Sequence, residues 1–317
     1  MCQGAACQPI TLATVTTGVS NLHHIATDGT YVAFTVDDAA SNGGGAYTVS
    51  VNGTNQTPTA LGGSSNHHAR NVTLVNGHVY WVQSDGSTLG SGWKATAGTA
   101  SSASQLGNVS LGLWTAYGVA VDSTETHFAY LAYTASPDGG NPITAISYCD
   151  LSTTYCNSDD NYVPLWPGDG LVTDDTNVYW TQVGGTVDKT AITLGVIGTI
   201  ATGQATPTLI AIDKAGGYLY WDQSGLGSNQ IMKSPILSPS PESIGSSGSV
   251  GGLVADSTYA YWTDSSTDIK YVAVTGTGTV KSLVTGLTGA VAIAKDGKAL
   301  YWLSESDGTI RKVALPL

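Results

Sequence analysis

Several residue types are scarce in this chain. Methionine and phenylalanine occur twice each in 317 residues, and charged residues make up only 11%. Composition of this kind excludes a long helical bundle or a coiled coil, which need leucine, glutamate and lysine in quantity. No run approaches the roughly 18 apolar residues that a membrane-spanning helix requires, so no membrane span is expected. Cationic residues are rare as well: 11 Lys and Arg stand against 23 Asp and Glu, a net charge of −12. With no basic run to offset that field, a nucleic acid is excluded as a partner.

Cysteine is nearly absent, and its four copies fall in two local pairs, Cys2/Cys7 and Cys149/Cys156. Neither pair carries the second half of a zinc site. Two short disulfides are expected, and with them an exported protein, secreted, periplasmic or at the cell surface, whose signal peptide has been removed. Free thiols, or a lipid on Cys2, are the alternatives.

What is abundant is glycine (40 residues), tyrosine (16) and tryptophan (8), within 41% hydrophobic residues. That is enough apolar material for a core, which excludes disorder. The large residues recur in a pattern: a small-apolar strand ending in Asp, a turn, then an aromatic pair. Leu253-Val254-Ala255-Asp256 leads to Tyr261-Trp262-Thr263-Asp264, and Leu171-Val172-Thr173-Asp174 to Tyr179-Trp180-Thr181. Ile210–Asp213 leads to Tyr220-Trp221, Ala292–Ala294 to Tyr301-Trp302, and Val72–Leu74 to Tyr80-Trp81. Two further copies are degenerate: Ile25–Asp28 with Phe34, and Val119–Asp122 with Phe128 and Tyr130.

The anchors at 34, 81, 130, 180, 221, 262 and 302 lie 47, 49, 50, 41, 41 and 40 residues apart. This is the period of a four-stranded propeller blade. The expectation is an all-β, seven-bladed β-propeller forming one domain over 1–317, with residues 1–9 as an N-terminal extension. The last unit stops after its third strand, near Val313–Leu315. The N-terminal run Ile10–Ala13, similar to the outer strand Lys281–Val284, is expected to complete that blade and remove an open edge. A closed ring has no edge demanding a partner, so a monomer is expected.

The Tyr-Trp-Thr and Tyr-Trp-Thr-Asp residues resemble the repeats of YWTD-type and NHL-like propellers, in particular secreted bacterial seven-unit versions. More distantly, the chain is similar to the streptogramin-lyase group. The resemblance covers nearly the whole chain and implies architecture; the fold hosts binding proteins and enzymes alike.

What all units share is packing, so function is sought in what only some carry. Five tryptophans are the repeat anchor, and Trp93 is placed in the core with Ile231, Ile269 and Ile310. The turn aspartates are read as turn caps. Trp114 and Trp166 remain, each eight residues before the Asp ending a first strand (Asp122 and Asp174). Three residues on, the series across units reads His23, Arg70, Tyr117, Asp169, Thr208, Gly251, Gly289. These positions fall where one blade's outer strand leads into the next blade's inner strand, the mouth of a propeller's channel. His24, His68 and Asn66 adjoin them. Units 1 to 4 thus carry His, Arg, Tyr, Trp and Asp where units 5 to 7 carry Gly, Ala and Thr, a functionalised half-rim.

Three chemistries suit it. The first is recognition of a small-molecule or carbohydrate ligand, with Trp114, Trp166 and Tyr117 stacking on it and His24, His68, Arg70 and Asp169 orienting it. The second is a lyase acting by β-elimination, with His23 or His67 as base, Arg70 neutralising an acid group and Tyr117 protonating the leaving oxygen. The third is a divalent metal (Zn, Mn, Cu or Ca) on His23, His67 and Asp37, with metal-assisted lysis or hydrolysis. The pairs Asp37-Asp38, Asp159-Asp160 and Asp174-Asp175 lack the spacing of a calcium loop and read as solvated turns. Gly245–Ser249 reads as a turn and not as a hydrolase elbow.

Overall fold

Short stretches of alternating small apolar and polar residues, cut every few positions by Gly, Asn or Asp, make brief antiparallel strands. The computed structural model describes residues 8–16, 21–37, 44–63, 68–84, 90–106, 113–134, 143–153, 155–156, 161–163, 168–225, 229–275 and 278–315. Among them are 29 strands and no α-helix. They form seven sheets, the blades of an all-β propeller.

The strands divide between two compact units. The first comprises residues 1–116 and 288–317. It opens with β1 (Ile10–Thr14), followed by blade 1: β2 (Leu22–Thr27), β3 (Tyr31–Val36), β4 (Gly45–Ser50) and β5 (Thr59–Ala60). Blade 2 contains β6 (His68–Val75), β7 (His78–Ser84), β8 (Gly90–Thr96) and β9 (Ser104–Leu106). The second unit, 117–287, holds blades 3 to 6. Blade 3 is β10 (Leu113–Val121), which begins just before the boundary, β11 (His127–Thr134) and β12 (Ile143–Asp150), with its outer position shared by β13 (Tyr155–Cys156) and β14 (Asn161–Val163). Blade 4 is β15 (Val172–Thr173), β16 (Asn177–Gln182), β17 (Thr186–Ala191) and β18 (Gly198–Ala201). Blade 5 is β19 (Ile210–Asp213), β20 (Tyr218–Gln223), β21 (Asn229–Pro235) and β22 (Glu242–Ser247). Blade 6 is β23 (Val250–Ala255), β24 (Tyr259–Asp264), β25 (Asp268–Ala273) and β26 (Lys281–Val284). Back in the first unit, blade 7 is β27 (Ala290–Lys295), β28 (Ala299–Ser304) and β29 (Thr309–Ala314).

The N-terminal strand closes blade 7 as expected: β1 pairs antiparallel with β29, Ile10 opposite Lys312 and Thr14 opposite Thr309. Without it β29 would present a row of unpaired backbone groups.

The repeat residues are packing. Trp81, Trp180, Trp221, Trp262 and Trp302 are fully buried, as is Phe34 in the degenerate first blade. An apolar inner-strand residue stands opposite the anchor in blade after blade: Ile25 to Phe34, Val72 to Trp81, Ile210 to Trp221, Leu253 to Trp262 and Ile293 to Trp302. The preceding aspartates cap their turns. Asp28, Asp174, Asp256 and Asp296 each accept two backbone N–H bonds from residues two and three ahead, at 2.6–3.0 Å. In blades 4 and 7 the anchor-pair tyrosine also donates its hydroxyl to that carboxylate, Tyr179 to Asp174 at 2.7 Å and Tyr301 to Asp296 at 2.8 Å.

Three sequence readings need correction. Trp93 lies opposite Trp81, in the register of Met232 and Lys270, whereas Ile231, Ile269 and Ile310 pair one residue further along. It is half-buried and stacks on Trp81 at 6.2 Å. A one-residue slip moves a side chain to the other face of a strand, which is why it is not sealed in the core. Gly245–Ser247 belong to the outer strand β22, so only residues 248–249 link blades 5 and 6. Asp37 is no solvated turn: its side chain is 6% exposed. Cys149 and Cys156 face each other across β12 and β13. Cys2, Cys7, Asp38, Asp159 and Asp160 lie outside the described residues. None of the helices needed for a membrane span is present among the described residues.

Candidate functional site

The inner strands of blades 1, 2 and 6 break register at the same place, just before the residue opposite the anchor, and that of blade 7 breaks one pair earlier. The irregularity falls between Leu22 and Ile25, Ala69 and Val72, Val250 and Leu253, and Ala290 and Ala292. Such bulges re-aim side chains out of the regular pleat. In blade 1 the bulge carries His23 and His24; in blade 2 it carries Arg70 and Asn71; in blade 6 only Gly251 and Gly252.

The bulges of blades 1 and 2 are tied together by β3. Thr35, fully buried, donates its hydroxyl to the backbone carbonyl of Arg70 at 2.9 Å. Side chains two apart on an extended chain share a face, so Asp37 follows Thr35 toward the same neighbour. The backbone of Asp37 bridges that of His68. Its carboxylate then collects three groups. Oδ2 accepts from Arg70 Nε at 2.7 Å, Oδ1 is hydrogen-bonded to His68 Nδ1, and His23 Nε2 stands 3.6 Å from Oδ2.

The burial pattern has chemical content. The carboxylate is nearly enclosed, while the side chains of His23, His68 and Arg70 are 34%, 37% and 41% exposed. The acid is therefore a fixed anchor, and the groups it orients face outward. With its Nδ1 on Asp37, the His68 imidazole has Nε2 directed away, and no described residue takes it. The Nε of Arg70 is used, and no described residue takes its terminal amino groups. A carboxylate on one ring nitrogen fixes the tautomer and the orientation of the ring.

The metal expectation does not suit this donor set. Both oxygens of Asp37 are already engaged, one by a guanidinium whose permanent charge opposes a divalent cation. No group of three or more His, Cys, Asp or Glu able to hold a metal occurs among the described residues. His67 lies outside them, and the histidine that reaches Asp37 is His68.

The remaining expected residues are not shown in this cluster. His24 occupies the second bulge position of blade 1, half-buried. Tyr117 belongs to the second unit, where it packs against the core around Ala120, Leu131 and Trp180. Asp169 is exposed, and its backbone donates to the Thr208 carbonyl at 2.5 Å. Trp114 lies in β10, its side chain outside the described set, and Trp166 lies outside the described residues altogether.

Thr35 was missed by sequence reasoning; its signal was its place two residues before Asp37 in the strand. The repeat tyrosines are not acid–base candidates. Burial, reinforced by the turn carboxylate, pushes the Tyr179 and Tyr301 phenols far above their ordinary range, and burial does the same for Tyr220 and Tyr261.

No protein-family model matches the sequence, and no curated protein matches it. Solved structures do. Virginiamycin B lyase from Staphylococcus aureus superposes with a TM-score of 0.67 at 13% identity, over 98% of this chain and 99% of that one. An oligogalacturonate lyase from Vibrio parahaemolyticus gives 0.69 at 11% identity, over 98% and 97%. An oligogalacturonate lyase in complex with manganese gives 0.67 at 14% identity, over 91% and 87%. The likeness is one of fold. It agrees with the resemblance carried by the Tyr-Trp-Thr repeats.

Proposed function

We propose that this propeller binds a small-molecule or carbohydrate ligand bearing a carboxylate at the blade 1–blade 2 cluster. One observation carries the reading: Asp37, buried, holds Arg70 and His68 side by side with their unused nitrogens facing out. In a chain of net charge −12, an exposed guanidinium beside two imidazoles is an unusual concentration of groups able to hold an anion. Arginine suits a planar carboxylate because its fork of N–H groups donates two parallel bonds.

A second reading has its own support, the Asp37–His68 pair. A carboxylate-oriented imidazole is a general base, and Arg70 beside it would stabilise the enolate that forms when the proton α to a carboxylate is removed. The electron pair of the broken C–H bond would form the double bond as the C–O bond at the β position breaks, and the leaving oxygen would take a proton from water. All three of the similar folds named above belong to lyases, which adds to this reading without deciding it. An export address and a Cys149–Cys156 disulfide fit either use, since cross-strand Cα separations fall within disulfide range.

Calorimetric screening of neutral and uronate-containing oligosaccharides tests the binding model. Uronates should bind and Arg70→Ala should weaken them about 10- to 150-fold, the effect of losing a hydrogen bond to a charged group worth about 1.5–3 kcal/mol. Equal affinity for neutral sugars, or an unaffected Arg70→Ala, would sink it. Appearance of an ultraviolet-absorbing unsaturated product, lost on His68→Ala, would establish the lyase.

A further inference from the structure

The seven-fold repeat makes a missing side chain visible. The first residue of each blade's second strand is Tyr31, His78, His127, Asn177, Tyr218 and Tyr259 in blades 1 to 6. In blade 7 it is Ala299.

What that position does elsewhere is clear from three blades. In each, its ring meets the third-strand residue that lies opposite the middle of the second strand. In blade 5 the Tyr218 ring lies over the Lys233 ammonium, 4.1 Å from its centroid. In blade 6 Tyr259 packs edge-on against Tyr271 at 5.4 Å, and in blade 3 His127 meets Tyr148 at 6.3 Å. Blade 7 places Lys312 opposite Tyr301, as blade 5 places Lys233 opposite Tyr220. The two lysines even share a backbone partner position, the residue just past the next blade's third strand: Lys233 donates to the Val274 carbonyl and Lys312 to that of Val51. Lys233 is sealed, with 9% of its side chain exposed. Among the described residues no ring lies over Lys312, and a cavity of about 320 Å³ is lined by Ala299, Lys312, Lys298, Tyr301 and Val51.

The polar groups around the gap are unequally satisfied. Asp296 has both oxygens occupied, by the backbone N–H groups of Lys298 and Ala299 and by the Tyr301 hydroxyl. Lys298 is exposed and makes no ion pair among the described residues. The ammonium of Lys312 uses one of its three donors. A cleft lined by two cations, with apolar surface from Val51, Ala299 and Tyr301 beside the polar Gln8, Asn52 and Asp296, suits one kind of guest.

We propose that this cleft is a second binding site, distinct from the Asp37 cluster, for a small aromatic carboxylate. The guest's ring takes the place that Tyr218 fills in blade 5, over the Lys312 ammonium, and its carboxylate meets Lys298. Cation–π attraction supplies the preference for an aromatic over a saturated ring.

The test uses the full-length protein and two matched probes, benzoate and cyclohexanecarboxylate, by calorimetry or ligand-observed NMR. The aromatic probe should bind about 5- to 30-fold more tightly, the ratio that a cation–π contact of 1–2 kcal/mol gives. Ala299→Tyr, which restores the residue of blades 5 and 6, should abolish that binding and raise Tm, because the chain then fills its own gap. Lys312→Met should remove the aromatic preference. No binding of either probe at 10-mM-scale concentration (about 10 mM, some 2.7 kcal/mol of affinity), equal binding of the two, or an Ala299→Tyr protein that binds like the parent would each overturn the proposal. The probe comparison on the unaltered protein stands even where a variant fails to fold.

Discussion

Blades 1 and 6 use one backbone device for different ends. Both bulge their inner strand at the same register, but blade 1 places His23 and His24 there and blade 6 places Gly251 and Gly252. In blade 6 the bulge is consumed internally: the Gly251 N–H donates to Thr263 of its own blade at 3.0 Å, and buried Asp264 takes Gly248 and Lys270. In blade 1 the equivalent strand end, Thr35 to Asp37, reaches outward to Arg70 and His68 of blade 2. The scaffold thus repeats the same bulge in blades 1, 2 and 6, and side chains decide which become sites. Blade 7 marks an intermediate case. Glu305 stands at the register of Asp37 and repeats its backbone bond, donating to Gly289 at 2.9 Å as Asp37 donates to Asn21 at 2.8 Å. Burial pushes the Glu305 carboxyl up, where the Asp37 carboxylate has a guanidinium and imidazoles to hold.

The comparison can be broken at several levels. The largest effect should come from the shared scaffold: Trp262→Ala removes a fully buried anchor and should cost about 3–5 kcal/mol in urea unfolding. A loss below about 1 kcal/mol would mean that the blade packs without its anchor. Next is the site itself. Asp37→Asn should weaken uronate binding about tenfold or more, since Arg70 and His68 lose their common anchor, and blade 6 carries no counterpart whose change would do so. A finer test sets two equivalent hydroxyls against each other. Thr35 clamps Arg70, and Thr181 of blade 4 clamps the Thr208 carbonyl in the same way at 3.0 Å. Thr35→Val and Thr181→Val should each cost about 1 kcal/mol of stability, but only Thr35→Val should weaken the ligand. Equal effects on binding would remove Thr35 as a positioning residue.

The smallest expected effect is on acid stability. Burial works against the Asp174 carboxylate, but the hydrogen bonds from Tyr179, Asn177 and Thr176 outweigh it and hold its pKa below the ordinary 3.8. A lowered folded-state value means that the stabilisation is complete above the unfolded value and is lost as pH falls through the folded one. Asp222 runs the other way. Burial raises its carboxyl in spite of bonds from Leu209 and Thr208, so its contribution weakens as pH rises through the carboxylate range. Asp174→Asn should therefore flatten the loss of stability on the acid side, measured by urea unfolding from pH 5 to 2, and Asp222→Asn should steepen it. An unchanged profile in both would show that these two carboxyls titrate alike folded and unfolded.

Much of the architecture was legible in the residues. Anchors such as Trp180 and Trp262, the turn aspartates and the closing strand Ile10–Ala13 recur at a spacing that only a stack of like units explains, because each unit must bury the same face against the next. The half-rim was legible only as a list. Residue order placed His23 and Arg70 at one register, and nothing local distinguished His67 from His68, because adjacent residues in a strand differ by a face and a bulge can exchange the two.

By itself, then, the sequence determined the all-β repeat, its seven-fold count and the residues that pack it, since periodic burial is written in composition and spacing. Only the tertiary structure decided that Asp37 is buried, that His68 and Arg70 converge on it, and that Ala299 leaves Lys312 uncovered. Those outcomes depend on hydrogen bonds between neighbouring blades and on the space a missing ring leaves behind. The strand period carries neither.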